Sequence, residues 1–212
     1  MKQLLPDLWQ TEVERPAPGL TTQAYFLVRP QGNILFYNTS HAAEIEHMAR
    51  LGGVQYQLLS HRDELGESLN LFHERFGTVL GGHAREREDF AQYRTPDILF
   101  SRRETFREAA LKDIEVIPTP GHSPGSTCFL VTGAAGKRYL FTGDTLYLSR
   151  GDIWKPGLLP GSDKAALVDS LKVLQTLAPD AVFSSAFAGP RSYQLAPPDW
   201  HGHVETALAS LL

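Results

Sequence analysis

Thr119-Pro120-Gly121-His122-Ser123-Pro124-Gly125-Ser126 is the stretch on which the reading of this chain turns. It follows a strand-like run, Asp113 to Ile117, and precedes another, Thr127 to Val131. Its paired prolines and glycines predict a tight loop between strands. A single imidazole sits at the tip of that loop. Loops held by rigid strands are where chemistry is usually placed. On spacing alone, the stretch reads equally as a turn that contains a histidine.

Working outward, a turn over Gly133 to Lys137 leads to an apolar strand, Tyr139 to Phe141, which ends in Thr142-Gly143-Asp144-Thr145. Residues 146–161 read as a loop rich in Gly, Pro and aromatics, including Tyr147 and Trp154. Ser162 then caps a helix with Leu167, Leu171 and Leu174 at helical spacing. A strand at Ala181 to Phe183 runs into Ser184-Ser185-Ala186-Phe187-Ala188-Gly189, and a last helix spans about Pro198 to Leu211. Upstream, Leu8 to Val13 reads as a strand, and Gln23 to Arg29 pairs with Asn33 to Tyr37 as a hairpin. Ser40 caps a helix from His41 to Leu51 that Gly52-Gly53 stops. Val54 to Leu59 is a strand running straight into Ser60-His61-Arg62-Asp63-Glu64-Leu65-Gly66. A helix over Ser68 to Phe76 follows from Leu69, Phe72 and Phe76 at spacings of three and four. Thr78 to Leu80 is one more strand, and the charge run Arg85 to Asp89 reads as a solvated face. Strands thus come in groups with a helix after each group. His61, His122, Asp144 and Ser185 all fall at strand C-terminal ends, a site-like arrangement.

The 212 residues carry 42% hydrophobic and 21% charged side chains, as in a soluble globular protein. No low-complexity linker divides them, so a single domain over 1–212 is expected. A net charge of −4 argues against nucleic acid or an anionic membrane as partner. The one cysteine, Cys128, excludes an intramolecular disulfide and a Cys-rich zinc site, and its apolar run points to a buried, inert thiol. The first residues are too short and polar a stretch for a signal peptide, and no apolar run approaches a membrane span. A cytoplasmic location is the default expectation.

Three strand-then-motif units, Ser60-His61-x-Asp63, Thr119 to Ser126 and Phe141-Thr142-Gly143-Asp144, resemble the metallo-β-lactamase superfamily in order and spacing. The resemblance implies an α/β fold, a four-layer αββα sandwich of two mixed sheets with outer helices. It also implies a metal site on one edge, between the sheets. The family's first motif, His-x-His-x-Asp-His, falls on His61, Asp63, Leu65 and Gly66. Its first histidine is kept, and Asp63 still offers an oxygen. Leu65 and Gly66 offer no ligand, and the late strand lacks the family's last histidine. What survives is His61, Asp63, His122 and Asp144, with Asp144 as the catalytic carboxylate. That set suits at most one divalent metal, Zn²⁺ first and Fe²⁺ or Mn²⁺ next.

Other assignments stay open at this stage. His61 reads also as a structural histidine, and Asp63 as a turn residue beside Arg62. Asp144 and His122 also read as partners of each other. Glu64 and Glu67 are candidates for the base that Leu65 replaces. His83 is expected to be exposed or to back the site, while His41, His47 and His73 fall on helix surfaces. His201 and His203, with Asp199, form a weaker metal candidate. The implied function is hydrolysis of a small ester, thioester, lactone or similar substrate by metal-activated water. The alternative is a catalytically degenerate binding or structural protein, or one that binds no metal. The apolar C-terminal helix leaves a homodimer open.

Overall fold

The computed structural model describes residues 1–106, 108–133 and 136–212 and divides into two compact units, Met1–Ser101 and Arg102–Leu212. The turn expected over Gly133 to Lys137 includes Ala134 and Ala135, which lie outside the described residues.

The first unit contains strands β1 (Lys2–Leu5), β2 (Leu8–Gln10), β3 (Glu14–Ala17), β4 (Leu20–Thr22), β5 (Tyr25–Leu27) and β6 (Ile34–Phe36). Helix α1 (Ala42–Arg50), β7 (Tyr56–Leu58), α2 (Ser68–Phe76), β8 (Val79–His83), the short α3 (Arg87–Phe90) and β9 (Ile98–Phe100) follow. Among the described residues its main sheet runs β1-β2-β5-β6-β7-β8-β9. The pairs are antiparallel as far as β6 and parallel from β6 to β9, so the sheet is mixed. The expected hairpin forms, with Leu27 opposite Ile34. Asn33 in its turn accepts from Arg29 N at 3.0 Å. Its amide donates to Leu51 O and Gly53 O, which satisfies carbonyls at the C-terminal end of α1.

The Ser40 cap does not form. Its N–H and hydroxyl both go to Glu14 Oε1, at 3.0 and 2.6 Å, because a carboxylate is the stronger acceptor. His41 takes the N-cap position with no side-chain cap. The strand expected over Leu8 to Val13 ends at Gln10, and the Thr11 hydroxyl instead accepts from Ala24 N at 2.9 Å. The charge run is not wholly solvated either, since Glu86 within it is buried.

The second unit contains β10 (Glu104–Thr105), β11 (Ile114–Pro118), β12 (Thr127–Thr132), β13 (Arg138–Gly143), β14 (Leu146–Ser149) and β15 (Trp154–Pro156). Then come α4 (Lys164–Gln175), β16 (Ala181–Ser184), β17 (Ala186–Ala188), β18 (Tyr193–Leu195) and α5 (Trp200–Ala209). Its sheet runs β10-β11-β12-β13-β16-β18, antiparallel except for the parallel β13–β16 pair. Residues 146–161 are not simply a loop: β14 pairs antiparallel with β15 and parallel with β17. Ser162 is not the cap of α4. Asp163 is, its carboxylate accepting from Ala166 N at 3.0 Å.

Helices α4 and α5 bury Leu167, Leu171, Leu174, Trp200, Val204 and Ala207 in one apolar core of this unit. Each large apolar side chain among them contributes about 1.5–3 kcal/mol on burial. The Trp200 indole donates to Leu174 O at 2.8 Å and meets Trp154 edge-on at 5.9 Å. The apolar face of α5 is therefore packed within its own unit. No helix among the described residues is long and apolar enough to cross a membrane.

Candidate metal centre

In the first unit the parallel strand β7 delivers the chain to Ser60 and His61, which are each 2% exposed. A single 3₁₀ turn over Arg62–Glu64 follows. That turn brings Asp63 Oδ2 to 3.9 Å from His61 Nε2. Arg62 turns to Asp89 instead, at 3.7 Å, so Asp63 is not held by the arginine beside it. Glu64 folds inward. Its Oε1 accepts from the Ser60 hydroxyl at 2.5 Å and its Oε2 from Ser60 N–H at 2.8 Å. Asn38 donates to Glu64 O at 2.9 Å and accepts from Ser68 and Gln57, which ties the turn to the start of α2 and to β7. A Cβ built on Gly66 meets only Asn38 Nδ2, at 3.6 Å. Leu65 packs against the cluster of Leu59, Leu69, Leu80 and Phe90. A pocket of about 440 Å³ opens beside Asp63, lined also by Arg62, Asp89, Gln92 and Tyr93.

In the second unit the loop between β11 and β12 carries His122. Gly121, at φ 139°, lays the loop backbone on Leu167 of α4, where a Cβ would lie 2.4 Å from its Cα. The His122 Nδ1 is 2.8 Å from Gly157 O. Its carbonyl accepts from the Ser162 hydroxyl at 2.9 Å, which is where the expected helix cap is used. Asp144 follows β13. One oxygen, Oδ1, accepts from Ala186 N at 2.8 Å, and Oδ2 stands 3.9 Å from His122 Nε2. At 3.9 Å the two are not hydrogen-bonded to each other.

The proton on His122 follows from its partner. A carbonyl only accepts, so Nδ1 carries the hydrogen and the neutral ring presents a lone pair at Nε2. The same ring position of His61 faces Asp63 Oδ2. Each unit therefore sets an imidazole nitrogen beside a carboxylate oxygen, both electron-pair donors, at the same 3.9 Å. Two donors on one zinc ion at tetrahedral angles lie about 3.4 Å apart. Each pair thus fits a divalent cation after a closure of about half an ångström.

The remaining candidates separate from these pairs. Glu67 is exposed, and Glu64 is committed to Ser60. His83 is 5% exposed rather than solvated, and its Nδ1 accepts from Arg85 N at 3.1 Å. Burial, and then the charge of Arg85, hold its pKa below the ordinary imidazole value. His41 and His73 are exposed and His47 half-buried. Asp199 is the N-cap of α5, accepting from Gly202 N at 2.9 Å, and His201 meets Gln175 at 3.2 Å. Asp199 is thereby committed to the helix cap and His201 to Gln175, whereas His203 Nε2 is buried with no hydrogen-bond partner among the described residues. Ser185 donates its N–H to Gly143 O at 3.1 Å. Cys128 is fully buried against Thr119, and burial pushes its thiol up to about 12. Tyr147 and Trp154 line a groove of about 320 Å³ with Ile153, Leu158 and Leu211. No sequence signal marks Gly157 as the partner of His122, because that contact is a backbone carbonyl 35 residues away.

The family model of the metallo-β-lactamase superfamily matches residues 40–186, and the chain belongs to that superfamily. No curated protein matches it. Among solved structures, a metallo-β-lactamase family protein from Thermus thermophilus is similar at a TM-score of 0.70 and 22% identity, over 98% of this chain and 80% of its own. A metallo-β-lactamase from Pontibacter korlensis matches at 0.74 and 15% identity, over 98% and 97%. A Cronobacter sakazakii metallo-β-lactamase described by its HARLDQ motif matches at 0.62 and 18%, over 83% and 78%. At these identities the likeness establishes the fold: α/β, with mixed sheets and helices, of the metallo-β-lactamase type.

Proposed function

We propose that the chain is a hydrolase with at most one divalent metal, held by His61, Asp63, His122 and Asp144 as one functional domain. The observation that carries this reading is the donor pair in each unit, imidazole Nε2 beside carboxylate Oδ2 at 3.9 Å. Two nitrogens and two oxygens suit Zn²⁺ first, and Fe²⁺ or Mn²⁺ next. When bound, the metal supplies Lewis acidity toward a carbonyl or phosphoryl oxygen and lowers the pKa of water.

The chain's own residues do the rest. Gly157 O aims His122, and Ala186 N fixes one oxygen of Asp144 so that the other faces the imidazole. Asp144, with a side chain 15% exposed, would hold the metal through Oδ2 while Oδ1 stays on Ala186 N, beside the water that attacks a small ester, thioester or lactone. Leu65 offers no base where the family carries an aspartate, so turnover is slow.

A second reading, a binding or structural member without catalysis, is favoured by Leu65 and Gly66 in place of two ligands. Metal content of tag-free protein separates the two. About one equivalent in the wild type, lost in both His61→Ala and His122→Ala, supports the shared mononuclear centre. No metal after reconstitution overturns it in favour of the second reading. Two equivalents overturn the single shared centre.

A further inference from the structure

We propose that Glu64 is a positioning residue for His61, holding the imidazole through Ser60 in the tautomer whose Nε2 lone pair faces outward to Asp63. What the lone pair binds rests on the metal-centre reading above; how it is held rests on the first unit alone.

The argument is an account of protons. The Glu64 carboxylate only accepts, and it accepts twice from Ser60: N–H at 2.8 Å and hydroxyl at 2.5 Å. Ser60 has one hydroxyl proton and gives it to Glu64. Its oxygen, 2.8 Å from His61 Nδ1, is left as an acceptor, so Nδ1 must donate. The chain runs from His61 Nδ1–H to Ser60 Oγ–H to Glu64. In the neutral ring the second nitrogen, Nε2, then keeps its lone pair. A direct approach reinforces the same tautomer, since Glu64 Oε1 lies 3.3 Å from Nδ1. Solvent does not compete: Ser60 and His61 are 2% exposed and the Glu64 side chain 5%.

A ligand histidine whose far nitrogen is tied to a carboxylate is fixed in orientation and made a better donor. A general-base role for Glu64 conflicts with this geometry, because both its oxygens are turned to Ser60. A merely space-filling role leaves the buried carboxylate without a reason, since an apolar side chain fills space at lower desolvation cost.

The variant that separates these roles is Glu64→Gln, nearly isosteric but with one acceptor replaced by a donor. The Gln oxygen takes Ser60 N–H, and its NH₂ donates to the Ser60 oxygen. The Ser60 hydroxyl then donates to His61 Nδ1, and the imidazole proton moves to Nε2. Ser60→Ala instead leaves Nδ1–H facing Glu64 directly and keeps the tautomer. Two measurements follow: the imidazole ¹⁵N resonances of His61 in metal-free protein, and zinc affinity by competition with a chromogenic chelator.

The expected result is an Nδ1–H tautomer in the wild type and Ser60→Ala, and Nε2–H in Glu64→Gln. Zinc affinity should fall about 10- to 100-fold in Glu64→Gln and much less in Ser60→Ala. An Nε2–H wild type overturns the proposal even if the variant fails to fold. So does a Glu64→Gln protein with unchanged tautomer, or a Ser60→Ala protein that loses zinc as severely as Glu64→Gln. If the wild type binds no zinc while the resonances follow the expected pattern, the metal-centre reading fails and the positioning role stands.

Discussion

Gly157→Ala tests the aim of His122 directly. A Cβ at 157 would lie 1.8 Å from Asp144 O and 3.0 Å from His122 Nδ1. Ordinary contact begins near 3.5 Å, so the segment must withdraw by well over an ångström. That movement breaks the 2.8 Å bond between His122 and Gly157 O. Leaving a buried donor and acceptor unpaired costs about 1–3 kcal/mol, and overpacking costs about as much again. The middle of both ranges gives about 4 kcal/mol. For a chain of this size, 1 kcal/mol is roughly 2–4 °C in Tm, so the variant should melt roughly 8–16 °C lower. Thermal unfolding of the two metal-free proteins by circular dichroism measures it. A fall of less than about 3 °C would mean that the segment yields without cost, and that the Gly157 carbonyl does not orient His122.

Three further outcomes are expected. Leu171→Ala removes a fully buried side chain from the core under α4 and should cost about 2–5 kcal/mol in urea unfolding. Asp97 is pushed up by burial, but Leu80 N–H and the Arg94 guanidinium outweigh this and hold its carboxyl below the ordinary range. Because its folded pKa lies below the unfolded one, the stabilisation is present above about pH 4 and is lost as pH falls through the folded value. With the Asp97 side chain 43% exposed, the effect is under about 1 kcal/mol. The Tm gap between wild type and Asp97→Asn should therefore be small at about pH 7 and close below about pH 4. Cys128, buried and with its thiol raised to about 12, should react with a disulfide reagent only after denaturation, as thiol release in native and unfolded protein will show.

What could be read from the sequence was what depends on neighbours along the chain. Helix α2 was legible to its ends, because Leu69 and Phe72 share one buried face and Gly77 closes it in the left-handed region. The β14–β15 hairpin was hidden because its strands are short, with Gly151 in the turn between them and Pro156 at the end of the second. Both expected serine caps failed for one reason. Ser40 and Ser162 find partners distant in sequence, Glu14 and the His122 carbonyl, and no local pattern announces them. The same limit applies at the candidate site. The motifs pointed to His61, Asp63, His122 and Asp144, and spacing along the chain explains why His61 and Asp63 meet. The atoms that set each imidazole's proton, the Ser60–Glu64 clasp and the Gly157 carbonyl, required the fold.

The two positions at which this chain offers no ligand in the family's first motif, Leu65 and Gly66, are structurally unequal. At Gly66 the way back is open, since a side chain there begins at ordinary contact with Asn38. Leu65 has been absorbed into the apolar cluster of Leu59, Leu69, Leu80 and Phe90. Replacing it by aspartate gives up that packing and brings a charge to its edge. A side chain at 66 therefore begins in open contact, whereas an aspartate at 65 needs compensating changes around it. Restoring the family's residues is thus open at 66 and obstructed by packing at 65.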